Sequence, residues 1–110
     1  MANNQQMQQL LMEAQSYQQN LQVVATQKEA LNLQLIETGK ALEELSKPSN
    51  EDVLKIVGPV LIKVKRAEAK KDLESKRDLI TLRMKTLDKS EAKIKEKIED
   101  LKERLAKAGV

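Results

Sequence analysis

The chain has 110 residues, of which 40% are hydrophobic and 34% are charged, and one Tyr is its only aromatic residue. A thick globular core is therefore not expected, and the balance of Leu, Ile and Ala with charged residues favours long helices. His and Cys are absent, which excludes imidazole and thiolate catalysis and a disulfide framework. The net charge of +3 comes from interleaved acids and bases rather than from a basic block, which argues against nucleic-acid binding.

The first predicted element is a helix over about residues 5–46. Its apolar residues alternate in steps of three and four, the spacing that keeps one face of a helix against a partner helix in a left-handed supercoil. Pro48 then prevents the helix from continuing. This seam, defined as the stripe of inward positions, comprises Met7, Leu10, Ala14, Tyr17, Leu21, Val24, Lys28, Leu31, Leu35, Thr38, Leu42 and Leu45.

The connecting segment contains two runs rich in β-branched residues, on either side of Gly58 and Pro59. Such runs around a two-residue loop predict a β-hairpin over 53–64, with Gly58 at the positive φ of a type II′ turn. One helical turn over 49–56 is the alternative. A hairpin would place Val57 opposite Val60, Lys55 opposite Ile62 and Val53 opposite Val64.

A second helix is predicted over about residues 67–108, with the same three-and-four spacing. Only Arg77 and Glu91 interrupt its seam, and Glu91 is expected at the level of Lys28, where a charged pair would fix the register of the two helices. The seam of this helix comprises Leu73, Arg77, Ile80, Met84, Leu87, Glu91, Ile94, Ile98, Leu101, Leu105 and Ala108.

Neither helix is stable without burying its seam, so the two are expected to pair as an antiparallel coiled coil within one domain, 1–110. A lone two-stranded hairpin is marginal in water and exposes unpaired edges. Hairpins of several subunits are therefore expected to join into a shared intersubunit sheet or β-barrel. The predicted oligomerisation residues are Val53, Val57, Gly58, Val60, Leu61, Ile62 and Val64.

This layout and four stretches of sequence resemble the prefoldin family, specifically its archaeal β class: residues 17–22 (YQQNLQ), 27–28 (QK), 37–45 (ETGKALEEL) and 57–64 (VGPVLIKV). The resemblance implies a mainly α subunit of a heterohexamer with α-class subunits and further copies of itself around a β-barrel. It implies an ATP-independent holdase that binds non-native polypeptides at the ends of its coiled coils and delivers them to a group II chaperonin.

Leu11 and Met12 lie off the seam near the start of the first helix and are expected to face water. Exposed Met and Leu adapt to varied apolar partners, so these residues are predicted to bind clients, although scattered apolar residues at ordinary coiled-coil ends are the alternative. The predicted client-binding site comprises Met7, Leu10, Leu11, Met12, Leu101, Leu105 and Val110.

A second off-seam set comprises Leu33, Ile36, Leu79 and Leu82. Packing against the oligomer body or a neighbouring subunit is one interpretation of this set, and ordinary surface leucines are the other.

Sites for catalysis, cofactors and metals are not predicted, because no glycine-rich phosphate loop or metal-ligand cluster occurs and the carboxylates follow the pattern of solvated helix charges. The first residues lack a secretion signal, Ala2 excludes myristoylation, and no membrane span or membrane partner is expected. A cytoplasmic protein is predicted. A structural coiled-coil spacer without chaperone activity remains the alternative function, and nucleic-acid binding by a helical arm is a weaker one.

Overall fold

Two helices flank one β-hairpin along the chain. The computed structural model describes residues 4–49 and 51–108. The elements are α1 (Asn4–Leu45), β1 (Val53–Val57), β2 (Val60–Val64) and α2 (Arg66–Lys107). The prediction of a mainly α chain with one short hairpin is therefore confirmed, and the helical turn considered for 49–56 is not observed in its described part.

The chain divides into two compact units. The terminal unit contains α1 up to Ala30 and α2 from Lys85, and the hairpin unit spans Leu31–Met84. Within the terminal unit α1 packs on α2 through Val24, Ile98 and Leu101, which are buried. The ammonium of Lys97 also lies 5.6 Å from the ring centre of Tyr17.

In the hairpin unit the buried side chains are Thr38 and Leu42 of α1 and Ile80 of α2. The Thr38 hydroxyl is satisfied within its own helix, because it donates a hydrogen bond to the Gln34 carbonyl at 2.7 Å. A polar residue therefore occupies a buried seam position without leaving an unpaired donor.

The predicted seams match the burial pattern closely. Every predicted seam position of α1 is buried or half-buried, and the same holds for α2 except at Arg77. Arg77 is exposed, because its long side chain can carry the guanidinium out to water from an inward backbone position.

The end of α1 is closed by local hydrogen bonds. The Ser46 amide donates to the Leu42 carbonyl at 3.0 Å, and Lys47 donates to the Glu44 carbonyl at 3.3 Å. A long-range bond adds to them, because Nη1 of Arg66 in the first turn of α2 donates to the same Glu44 carbonyl at 3.1 Å. Carbonyls in the last turn of a helix lack intrahelical partners, so these bonds stabilise the helix end.

The two strands pair antiparallel in the predicted register, with Val57 opposite Val60, Lys55 opposite Ile62 and Val53 opposite Val64. Gly58 has a φ of +58°. Because the ring of Pro59 holds φ negative, a type I′ turn is excluded and type II′ is the two-residue turn that fits. The position and the type of the turn thus follow from the order of Gly58 and Pro59.

Candidate functional site

The β-hairpin carries an exposed apolar surface in the hairpin unit. On one face Val53 and Val64 are half-buried, and Lys55 Nζ lies 3.6 Å from Asp72 Oδ2 of α2. That face is therefore turned toward α2. The opposite face carries Leu54, Ile56 and Leu61, of which Ile56 is 76% exposed.

The residues predicted to form the oligomer all lie on this ribbon. Val57, Val60, Leu61 and Ile62 are exposed, Val53 and Val64 are half-buried at its base, and Gly58 forms the turn. Leu54 and Ile56 are exposed as well, and the predicted set did not include them. Their alternation with Lys55 in a five-residue strand was the signal that could have identified them.

The terminal unit carries the predicted client-binding residues. Leu11 is 50% exposed and Met12 is 69% exposed, as their off-seam positions predict. Met7, Leu10 and Leu105 are half-buried at the seam beside them. The structure therefore brings a small apolar surface together on the first turns of α1.

Leu101, a member of the predicted site, is buried. Its side chain is only 3% exposed, because it occupies a seam position where α1 covers it. It supports the helix pair and offers no surface to a client in this conformation. Val110, the remaining predicted member, lies outside the described residues.

A group of charged side chains interrupts the seam of the terminal unit. Lys28 Nζ lies 3.4 Å from Glu91 Oε1, as the sequence predicts. It also lies 2.8 Å from Asp88 Oδ1, a contact that the seam spacing does not predict. The side chains of Lys28 and Glu91 are each 25% exposed. Asp88 lies three residues before Glu91 on the same helix, and that spacing was the available signal.

The Asp88 carboxylate, which accepts a hydrogen bond from Lys28, raises the pKa of Lys28 above its ordinary value. Burial acts in the opposite direction, and Glu91 adds to the increase. Lys95 also lies 3.6 Å from Glu91, so the charges of this layer are compensated. Lys28 is therefore held in its charged form.

The off-seam set consists of Leu33 and Ile36 on α1 and Leu79 and Leu82 on α2. All four side chains are about half-exposed, so within one chain they are surface residues. Packing against a neighbouring subunit remains a proposal.

Residues 4–49 and 51–108 include no group of three or more His, Cys, Asp or Glu side chains that could hold a metal ion. Within the same part of the chain, neither helix is apolar enough over a sufficient length to cross a membrane. Exposed apolar surfaces are thus the features of the described chain from which a function can be argued.

The family model described as "Prefoldin subunit" matches residues 8–109. The chain belongs to the prefoldin family. Its prefoldin relatives include the β subunit of Thermococcus onnurineus, 36% identical over 104 residues, which cover 94% of this chain and 90% of that protein. The β subunit of Archaeoglobus fulgidus is 38% identical over 101 residues, covering 91% and 87%.

Solved prefoldin structures agree with the fold. The crystal structure of the prefoldin β subunit from Thermococcus strain KS-1 matches with a TM-score of 0.88 and 35% identity, covering 98% of this chain and 96% of that one. The β2 subunit of the same strain matches with a TM-score of 0.74 at 22% identity, covering 82% and 97%, and supports the fold alone. Prefoldin subunits are chaperone subunits, so the family is one of binding proteins rather than enzymes.

Proposed function

We propose that this chain is a subunit of an ATP-independent holdase, which binds non-native polypeptides through the apolar residues of the terminal unit. It would deliver them to a group II chaperonin in the cytoplasm. The carrying observation is the exposure of Leu11 and Met12, 50% and 69%, beside half-buried Met7 and Leu10. An apolar surface on an otherwise polar helix face suits transient contact with unfolded chains.

The hairpin supports the proposal that the holdase is an oligomer. An isolated two-stranded sheet is marginal in water. Among the described residues no further strand pairs with either edge of this sheet, and its face carrying Ile56 and Leu61 is exposed. Copies of this chain and α-class prefoldin subunits are the proposed partners, with their hairpins joined in a barrel. A coiled coil that acts only as a spacer does not require an exposed apolar hairpin.

Several terminal units on one oligomer would bind a long unfolded chain by avidity. Each contact is small and therefore releasable, while the linked contacts together retain the client. Release to a chaperonin then requires no nucleotide on this protein, because the contacts separate one at a time. Family membership supports this transfer step.

The test is light scattering of a refolding client without nucleotide, in the presence of this chain and a candidate α-class partner. Leu11→Ser with Met12→Ser is expected to weaken suppression of aggregation severalfold, because about half or more of each side chain is available for contact. Sedimentation of the oligomer should not change. Val23→Ser, at a similarly exposed residue of α1 elsewhere, is the control.

If the wild-type assembly fails to suppress aggregation, the holdase function is wrong. If it suppresses aggregation and the Leu11, Met12 variant does so equally well, the function stands but the binding site must be assigned elsewhere. An effect of the same size in the control would show that any exposed apolar residue of α1 contributes.

A further inference from the structure

The two helices of the terminal unit differ sharply in charge. Residues 4–27 of α1 contain a single charged residue, Glu13, whereas residues 88–107 of α2 contain thirteen. Ion pairs such as Lys102 with Glu99 occur on α2, as is usual for a solvated helix face. The face of α1 that points away from α2 lacks such ion pairs over residues 4–27, because they contain only one charged residue.

Glutamines occupy that face at regular spacing. Steps of three and four place them almost opposite the seam of α1, and every one is exposed. Their side chains make no hydrogen bond or ion pair with other described residues. The glutamine stripe, as we call it, comprises Gln5, Gln8, Gln15, Gln19 and Gln22, with Met12 between the second and third.

Helix stability does not explain this choice of residue. Gln, Glu and Lys have similar helix propensities, and Glu and Lys would add stabilising pairs four residues apart. An amide differs from both in hydrogen bonding, because it donates and accepts, whereas a carboxylate only accepts and an ammonium only donates. A peptide main chain likewise offers both a donor and an acceptor at nearly every residue.

We propose that the glutamine stripe binds the main chain of an extended, uncharged segment of a non-native polypeptide, while Met12 and neighbouring Leu11 contact its apolar side chains. This inference rests on the proposed holdase function and names the part of the client that the terminal unit recognises. Neutral amides impose no preference for charge sign and avoid the cost of desolvating a charge. The stripe thus binds segments of varied sequence that share an exposed main chain.

The test uses two fluorescent peptides, an uncharged sequence of alternating apolar and polar residues and a copy with alternate peptide nitrogens methylated. Methylation removes main-chain donors from one edge and leaves the side chains unchanged. By fluorescence anisotropy the full assembly is expected to bind the unmethylated peptide about tenfold more tightly, the effect of one or two net hydrogen bonds.

The variant is Gln15→Ala with Gln19→Ala, which removes two amides of the stripe and keeps a strong helix former at each position. Its preference for the unmethylated peptide is expected to fall to less than about twofold, since two of the groups that accept from the peptide main chain are removed. Gln27→Ala with Gln34→Ala is the matched control, because it removes two exposed amides of α1 outside the stripe. Circular dichroism checks that both variants stay helical.

Equal binding of the two peptides by the wild-type assembly, or an unchanged preference in the stripe variant, would overturn the proposal. So would a control variant that loses the preference to the same extent. Aggregation suppression, measured separately, tests the holdase function, so a stripe that fails in an active holdase is distinguishable from an inactive protein.

Discussion

Gly58 and Gly39 show that one residue type has opposite roles in this chain. Gly58 has a φ of +58°, a backbone conformation that L side chains rarely adopt. Gly39 lies inside α1, where glycine weakens a helix, and a Cβ added there meets nothing within 4 Å. The hairpin turn needs its glycine, whereas the helix would be more stable without one.

The two alanine substitutions should therefore change the free energy of unfolding in opposite directions. Gly58→Ala is expected to destabilise by about 1–2 kcal/mol through left-handed backbone strain. Gly39→Ala should stabilise by about 0.5–1 kcal/mol through helix propensity. Denaturant unfolding measures both, and destabilisation by Gly39→Ala would show that this site packs against a partner in the assembly.

Single residues also mark the limits of sequence reasoning. The off-seam exposure of Leu11 and Met12 followed from helical periodicity, which is a property of the sequence alone. Leu101 was assigned to the client-binding site because it is apolar and near the end of α2, but burial depends on the partner helix. Its seam position was the better guide.

At the level of the helices, the charged group of Lys28, Asp88 and Glu91 interrupts the apolar seam. Lys28 contacts Asp88 at 2.8 Å and Glu91 at 3.4 Å, so a displaced register would separate a lysine from its two carboxylates. Because a group with a raised pKa stabilises the fold below its unfolded pKa, this contribution is complete at neutral pH. It is lost as the pH rises from the ordinary lysine pKa of about 10.4 through the higher pKa that Lys28 has in the folded state.

Lys28→Leu is accordingly expected to gain stability relative to the wild type at alkaline pH. The contribution of the charged Lys28 is constant below its ordinary pKa of about 10.4 and is lost above it, so the difference in melting temperature should change between about pH 10 and pH 12. Calorimetric melts across that range measure it. Lys93→Leu, at an exposed position of α2, is the control, and a parallel trend there would contradict the assignment.

The helices and the hairpin could be predicted because each depends on local pattern. The seam spacing identified both helices, and Gly58 with Pro59 identified the turn and hence the strand register. Asp88 was missed because it lies off the seam and reaches Lys28 only through its side-chain conformation. The turning of one hairpin face toward α2 through Lys55 and Asp72 likewise requires coordinates.

At the scale of the whole molecule, the hairpin exposes an apolar face that nothing else in the described part of a single chain buries. Ile56 and Leu61 face each other across the strands and are 76% and 60% exposed. Burial of such side chains typically contributes about 1.5–3 kcal/mol each. An interface that covers them therefore gains enough to hold subunits together when several hairpins take part.

Ile56→Lys with Leu61→Lys is expected to dissociate the assembly, because it places two charges in the proposed interface. Sedimentation velocity should show a smaller species, while circular dichroism should retain most of the helical signal. Ala92→Lys with Ala106→Lys adds the same charge at exposed positions of α2 and should leave the assembly intact. Unchanged sedimentation of the hairpin variant would remove the hairpin from the interface.

Tyr17, which lies near Lys97 in the terminal unit, is the only aromatic residue of the chain. The protein therefore contributes no tryptophan emission, so the tryptophan fluorescence of a bound client can be recorded without background from this subunit. Tyr17 itself is half-buried between the helices, and its emission should report on how they separate or close. The chain thus carries a tyrosine probe in the unit where binding is proposed, and it adds no signal to the tryptophan emission of a client.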